Sequence, residues 1–191
     1  KLKRKKILKV LIFCPQRTFS NYLESFLLKN FYVEIINSTD NIKNYDNPLH
    51  KHSISTNPIL NEKFNNNNYI IFLLYKNSSY WIDSLNRNDQ DFFDQFLEFH
   101  KIKIDRQDRS ALSKYHKNWY ETWIDYLKNF SNVEFINHEQ TFDLNNNLSL
   151  FNYLNSKYPI ISKGKMKLPK NIRRSSSFNI NNYKKKSNFD E

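Results

Sequence analysis

The sequence predicts an α/β fold, a three-layer sandwich with a central, mainly parallel sheet. Three observations carry this. The runs Ile7 to Phe13 and Tyr69 to Tyr75 are apolar throughout, which suits central parallel strands buried on both faces. Between and after them, apolar residues recur at helical spacing. Strands and helices alternate along the chain, the order that parallel crossovers require.

In chain order, Ile7 to Phe13 is the first strand. With Lys1 to Lys6 before it, this run could mimic a secretory leader. It is at the short limit for one, however, and large residues precede Cys14 where cleavage needs small ones. A polar loop, Pro15 to Phe19, leads to a helix over about Ser20 to Lys29, with Tyr22, Leu23, Phe26 and Leu27 on one face. Ser20 or Asn21 can cap it, and Glu24 lies three residues after Asn21. Phe31 to Ile36 is a short strand. Asn37 to Asn68 reads as a long polar loop, of the kind that is functional or mobile in a compact domain. Tyr69 to Tyr75 is the strongest strand, followed by the polar turn Lys76 to Ser79. A helix begins with Trp81, and Phe92, Phe93, Phe96 and Leu97 mark another. Ser110 to Phe130 is a long amphipathic helix whose stripe of Leu112, Tyr115, Trp119, Trp123 and Leu127 belongs to the core. Val133 to Asn137 is a strand and Leu148 to Tyr158 a helix. Residues 1–160 form the α/β domain, and residues 161–191 are a basic C-terminal segment.

Composition narrows the function. A net charge of +11 favours anionic partners. Much of it lies in Lys1 to Lys9 and Lys163 to Lys186, where solvated tails are the competing explanation. A single glycine among 191 residues excludes GxxxxGK[ST] and GxGxxG phosphate loops. One cysteine excludes an internal disulfide or a cysteine-based zinc site. No run approaches a membrane span, and a cytoplasmic location is expected. The abundant asparagines read as loop-lengthening bias.

Strand, tight polar loop, helix is a geometry that directs backbone N–H groups and a helix's positive end at an anion. Arg17 can add a bidentate fork. The polar turn at Lys76 falls at the carboxyl end of another strand, the edge where open α/β sheets bind ligands.

Both segments resemble one family together. Arg17-Thr18-Phe19-Ser20-Asn21-Tyr22-Leu23-Glu24 is similar to the 5′-phosphosulfate loop of sulfotransferases that use 3′-phosphoadenosine 5′-phosphosulfate (PAPS). Lys76-Asn77-Ser78-Ser79-Tyr80-Trp81-Ile82-Asp83-Ser84 is similar to their 3′-phosphate segment. His50-Lys51-His52 lies where some members carry Trp-Lys-His, Trp119 to Tyr126 resembles their tryptophan-bearing helix, and Asn137-His138-Glu139 resembles a Tyr-Glu-Asp after the next strand. The family fold is an α/β sandwich related to P-loop nucleotide kinases. Phe19 replaces the loop glycine of the family, Ser78 the usual proline, and Arg17 the common lysine.

The resemblance implies a role for each matched residue. Arg17 would neutralise the oxygen joining phosphate to sulfur, and Thr18, Phe19, Ser20, Asn21 and Tyr22 would form the phosphosulfate loop. Lys76 and Ser84 would hold the 3′-phosphate, with Arg174, beside Arg173, folding back over it; the other reading of that segment is a disordered basic tail. His52 is the candidate base and Lys51 the candidate sulfuryl contact, with Glu62 and His50 as weaker bases. His100 and His116 read as structural. No metal is implied. The acceptor would be a hydroxyl or amine of a glycan or small metabolite. The alternatives are a kinase-like phosphotransferase and a non-catalytic nucleic-acid binder.

Overall fold

Alternate residues of Leu8–Phe13 and of Tyr69–Tyr75 face opposite ways, and nearly all of them are apolar. Both faces of the sheet therefore need a cover. The computed structural model describes residues 7–38, 40–42, 47–54, 64–138 and 144–169. In chain order these form β1 (Leu8–Phe13), α1 (Ser20–Asn30), β2 (Val33–Ile35), β3 (Tyr69–Tyr75), α2 (Ser78–Asn86), α3 (Gln90–His100), α4 (Arg109–Leu127), β4 (Val133–Asn137) and α5 (Leu144–Lys157). The four strands make one all-parallel sheet in the order β2-β1-β3-β4.

One face packs Leu11, Phe13, Ile71 and Leu73 against Trp81, Phe93, Trp119 and Trp123 of α2, α3 and α4. Phe13 stacks on Trp123 with ring centroids 4.1 Å apart. The other face packs Val10, Ile12, Ile70 and Phe72 against Leu23, Phe26 and Leu27 of α1 and Leu154 of α5. The result is a three-layer α/β sandwich, and the stripe on α4 is core.

Element ends differ from the sequence reading where side chains decide them. Helix α2 starts at Ser78 rather than after the turn, because the Asn77 side chain accepts a hydrogen bond from the Ser79 N–H at 2.8 Å and caps it. Helix α5 starts at Leu144, one turn before the expected Leu148. Helix α4 stops at Leu127, short of Phe130.

The asparagines are more than loop filler. Strand β2 is three residues long, and the Asn37 side chain continues its pairing by accepting from the Ile12 N–H at 2.9 Å and donating to the Ile12 carbonyl at 2.7 Å. Asn132 donates to the carbonyls of Phe64, Asn66 and Tyr69 at 2.7, 3.2 and 3.0 Å, closing the loop before β3. Asn30 donates to the carbonyls of Phe26 and Lys167 and accepts from the Lys167 N–H at 2.6 Å. Asn30 and Asn37 supply both donor and acceptor, and Asn132 its donor, where backbone groups would otherwise be buried unpaired.

That last contact places the start of the C-terminal segment. Ser162 bridges Phe31, the Tyr32 N–H donates to the Ile161 carbonyl at 2.9 Å, and the Lys163 N–H donates to the Asn30 carbonyl at 2.7 Å. These contacts lie at the C-terminal end of α1, level with the beginnings of the strands. Arg173 and Arg174 are outside the described residues, as is Glu62.

The topology fixes where a ligand fits best. From β1 the chain moves to β2 on one side, then crosses to β3 on the other side of β1. The reversal leaves a crevice beyond the carboxyl ends of β1 and β3. Aromatic side chains hold its walls. The Trp81 indole N–H donates to the Gln16 carbonyl at 2.8 Å, the Tyr120 hydroxyl to the Leu74 carbonyl at 2.6 Å, and the Trp123 indole N–H to the Ser53 carbonyl at 2.9 Å. Buried rings thus anchor two loops and the end of β3 by their polar tips. Among the described residues, no helix is long and apolar enough to cross a membrane.

Candidate anion-binding site

Two turns meet at this crevice, one after β1 and one after β3. Their meeting is direct, since the Lys76 ammonium donates to the Arg17 carbonyl at 3.1 Å. Lys76 is 4% exposed. Burial, then the charge of Arg87, then that of Arg17 lower its pKa to about 7, and Asp83 opposes them. Burial and the Arg87 charge also lower the pKa of Arg17. The Arg17 guanidinium lies 5.9 Å from the Phe92 ring centroid. Among the described residues, no ion pair joins Arg17, Lys76 or Arg87 to a carboxylate. Asp83, the acid whose charge opposes the shift of Lys76, is paired with Arg109 at 2.9 Å.

The loop after β1 carries an unusual backbone. Arg17 and Phe19 both have φ 66, the left-handed region that glycine enters freely and other residues at a cost. Phe19 is also the N-cap of α1 and makes no side-chain cap bond. The expected cap by Ser20 or Asn21 is therefore corrected. Ser20 is buried beside the Cys14 thiol, and the Asn21 Oδ1 accepts from the Lys51 ammonium at 2.9 Å. Phe19 thus gives the start of α1 no side-chain cap, and a helix N-terminus is a place where an anion can bind.

Phe19 packs its ring 5.7 Å from Tyr22 and 5.2 Å from His138. Phe19→Ala would lose these contacts and keep the strained φ, whereas Phe19→Gly would lose the contacts and relieve the strain. The glycine variant is expected to be more stable than the alanine variant by about 1 kcal/mol, read from urea midpoints. Equal midpoints would mean that φ at this position is not strained.

The remaining residues singled out in the sequence fall into two groups. Thr18, Ser20, Tyr22, Lys76 and Ser84 lie at or next to the crevice. Thr18 is buried, its hydroxyl near that of Tyr120; Tyr22 donates to the Asn147 Oδ1 at 3.3 Å; Ser84 is buried on α2. Lys51 is different, because its ammonium is held by the Glu24 carboxylate at 2.8 Å as well as by Asn21. A cation so paired ties residues 47–54 to α1 and is not free for a sulfuryl oxygen, which corrects the expectation for Lys51.

His52 keeps a defined orientation. Its Nδ1 lies 2.9 Å from the Cys14 carbonyl; a carbonyl can only accept, so Nδ1 carries the proton and Nε2 holds the lone pair. Burial lowers its pKa to about 3. Burial and Lys51 lower that of His50 to about 4, and its ring lies 5.3 Å from His52. The Cys14 thiol is buried and its pKa is pushed up to about 12, so it is a poor nucleophile.

His100 and His116, expected to be structural, also border the crevice. The His100 Nε2 lies 2.6 Å from the Gln16 Oε1, and the His116 ring packs at a tilt against Trp81, centroids 4.9 Å apart, beside the Lys76 backbone. No family model, curated protein or solved structure matches this chain. The chemistry must therefore be argued from these side chains alone. Arg87 was missed from the sequence, since it sits at the C-cap of α2 outside any motif. Among the described residues, no group of three His, Cys, Asp or Glu could hold a metal ion. Two surface clefts of about 370 and 340 Å³ lie elsewhere, one near Leu8 and Ile160 and one between Glu134 and Ser149, and neither has cations among its lining residues.

Proposed function

We propose that the chain is a sulfotransferase that moves a sulfuryl group from PAPS to a hydroxyl or amine acceptor, on a fold of the P-loop-like sulfotransferase type. The observation that carries this is the meeting of Lys76 and Arg17 at the crevice between β1 and β3, with no carboxylate paired to either among the described residues. A buried ammonium among like charges is costly unless an anion joins it.

In this reading the N-terminal end of α1 and the Arg17 guanidinium take the phosphosulfate, and Lys76 with Ser84 takes the 3′-phosphate. Attack by the acceptor forms an oxygen–sulfur or nitrogen–sulfur bond as the bond from sulfur to the bridging phosphate oxygen breaks. Arg17 offsets the charge that grows on that oxygen. The acceptor proton passes to the His52 Nε2, whose basicity rises as the anionic group arrives beside it. The other product is adenosine 3′,5′-bisphosphate.

Isothermal titration tests the reading. Adenosine 3′,5′-bisphosphate is expected to bind saturably and at least about tenfold more tightly than ATP, through one more charge-assisted phosphate contact. Tighter ATP binding would favour a phosphotransferase, and no binding of the bisphosphate at moderate salt would remove the proposal.

A further inference from the structure

The strap from Lys163 to Leu168 lies against the C-terminal end of α1, at the edge of the sheet opposite the crevice. The Lys163 ammonium donates to the Leu28 carbonyl at 2.7 Å and sits 5.0 Å from the Tyr32 ring centroid. The Lys29 ammonium donates to the Leu168 carbonyl at 3.4 Å. Lys163, Lys165 and Lys167 are exposed. Among the described residues, none of these lysines is paired with a carboxylate. Glu34, on the neighbouring strand β2, is engaged with Lys9 at 3.9 Å.

Large apolar side chains stand exposed among these cations. Leu28 is 46% exposed, Tyr32 53% and Leu168 43%. Ile7 is exposed too, and the pairing of Leu8 with Val33 sets it at the same edge as Tyr32. It lines the cleft of about 370 Å³ with Pro159, Ile160 and Ile161, and the Ile161 carbonyl accepts from the Tyr32 N–H at 2.9 Å. One exposed leucine needs no explanation, but a set of large apolar groups ringed by lysines marks an interaction surface. The described chain also begins at Ile7 and ends just past Leu168. The cationic runs Lys1 to Lys6 and Lys170 to Lys186 adjoin these two points in sequence, so much of the net charge of +11 is attached at this edge.

We propose that this edge docks on an anionic lipid bilayer. Leu28, Tyr32, Ile7 and Leu168 enter the headgroup region, while the lysines lie against the lipid phosphates and carboxylates. Charge complementarity and the exposed apolar groups point to the same partner. A nucleic acid would offer phosphates to the lysines but no apolar layer for the three aliphatic side chains, and Tyr32 alone is a poor stacking platform. The patch lies at the amino ends of the strands and the crevice at their carboxyl ends, so docking leaves the crevice open to water. The proposal stands independently of the reaction assigned to that crevice.

Sedimentation of the full chain with vesicles tests this, using phosphatidylcholine alone and phosphatidylcholine with about 30% phosphatidylserine at about 0.1 M salt. The mixed vesicles are expected to bind at least about tenfold more tightly than the neutral ones. Leu28→Ser with Tyr32→Ser leaves the net charge unchanged and is expected to weaken that binding about tenfold. Lys165→Glu with Lys167→Glu, which alters exposed side chains only, is expected to weaken it by at least as much. Failure of the wild type to bind the mixed vesicles overturns the proposal. Wild-type affinity in either pair of substitutions overturns it as well, because the terminal cationic runs would then act without this patch. A short DNA strand that binds more tightly than the vesicles, and is weakened by the same lysine substitutions, would assign the edge to nucleic acid instead.

Discussion

Lys76→Met is expected to weaken binding of adenosine 3′,5′-bisphosphate by about 100-fold and yet to make the protein more stable by about 1–3 kcal/mol. The two effects share one cause. The Lys76 ammonium is almost fully enclosed, has one carbonyl partner, and lies near two guanidinium groups. Without ligand it is a cost to the fold; with an anion it becomes a contact. Methionine keeps most of the side-chain volume and removes the charge.

The sign of the pH dependence follows from the lowered pKa. Between about pH 7 and the ordinary lysine value, the unfolded chain holds a proton on this side chain that the folded chain has released. Stability from Lys76 therefore grows as pH rises through that window and is lost as pH falls through about 7. Ligand affinity runs the other way, because the protonated form binds, and it should decline above about pH 7. Titrations at three pH values, with urea midpoints for both proteins, check the pair of effects. A methionine variant that loses stability while binding normally would make Lys76 a structural residue.

Acid is expected to unfold the protein well above the carboxylate range. All five histidines border the crevice. Burial lowers their pKa to about 4 for His50 and His116 and to about 3 for His52 and His100, and it lowers that of His138 as well. They are neutral in the folded chain, while the unfolded chain takes up protons below about pH 6.5. Their contribution is therefore full above that value and is lost as pH falls toward 4 and 3. Each such histidine removes about 1.4 kcal/mol per pH unit, so His116 alone would remove about 2–3 kcal/mol by pH 4.5, and the other buried histidines act in the same direction. That is a large share of a typical domain's stability. Urea midpoints from pH 7 to 4.5 measure this, and a midpoint that does not move would show the histidines to be solvated. The same trend separates a binding defect from unfolding, since activity assays below about pH 5.5 would report loss of the site's walls.

The strands and helices were legible because burial writes a local period into the sequence. Tyr69 to Tyr75 needs cover on both faces wherever it sits, and Trp119 and Trp123 recur at helical spacing whatever they pack against. The polar turns at Arg17 and Lys76 could be found the same way, as breaks after apolar runs. Helix starts were less legible. Asn77 caps α2 with a side chain whose acceptor role depends on a local dihedral, and the expected cap of α1 gave way to Phe19 because Asn21 is held by Lys51. Asn37 and Asn132 look like loop residues until strands leave backbone groups beside them.

The sequence by itself determined the layers of this protein and the two cationic turns, since both follow from short-range patterns of apolar and charged residues. Only the tertiary structure decided that Lys76 reaches Arg17 across 59 positions, that Glu24 neutralises Lys51, and that every histidine gathers at one edge. The reason is that strand order brings residues together over distances that carry no periodic signal, and a charge is free or paired according to neighbours that only the folded chain supplies.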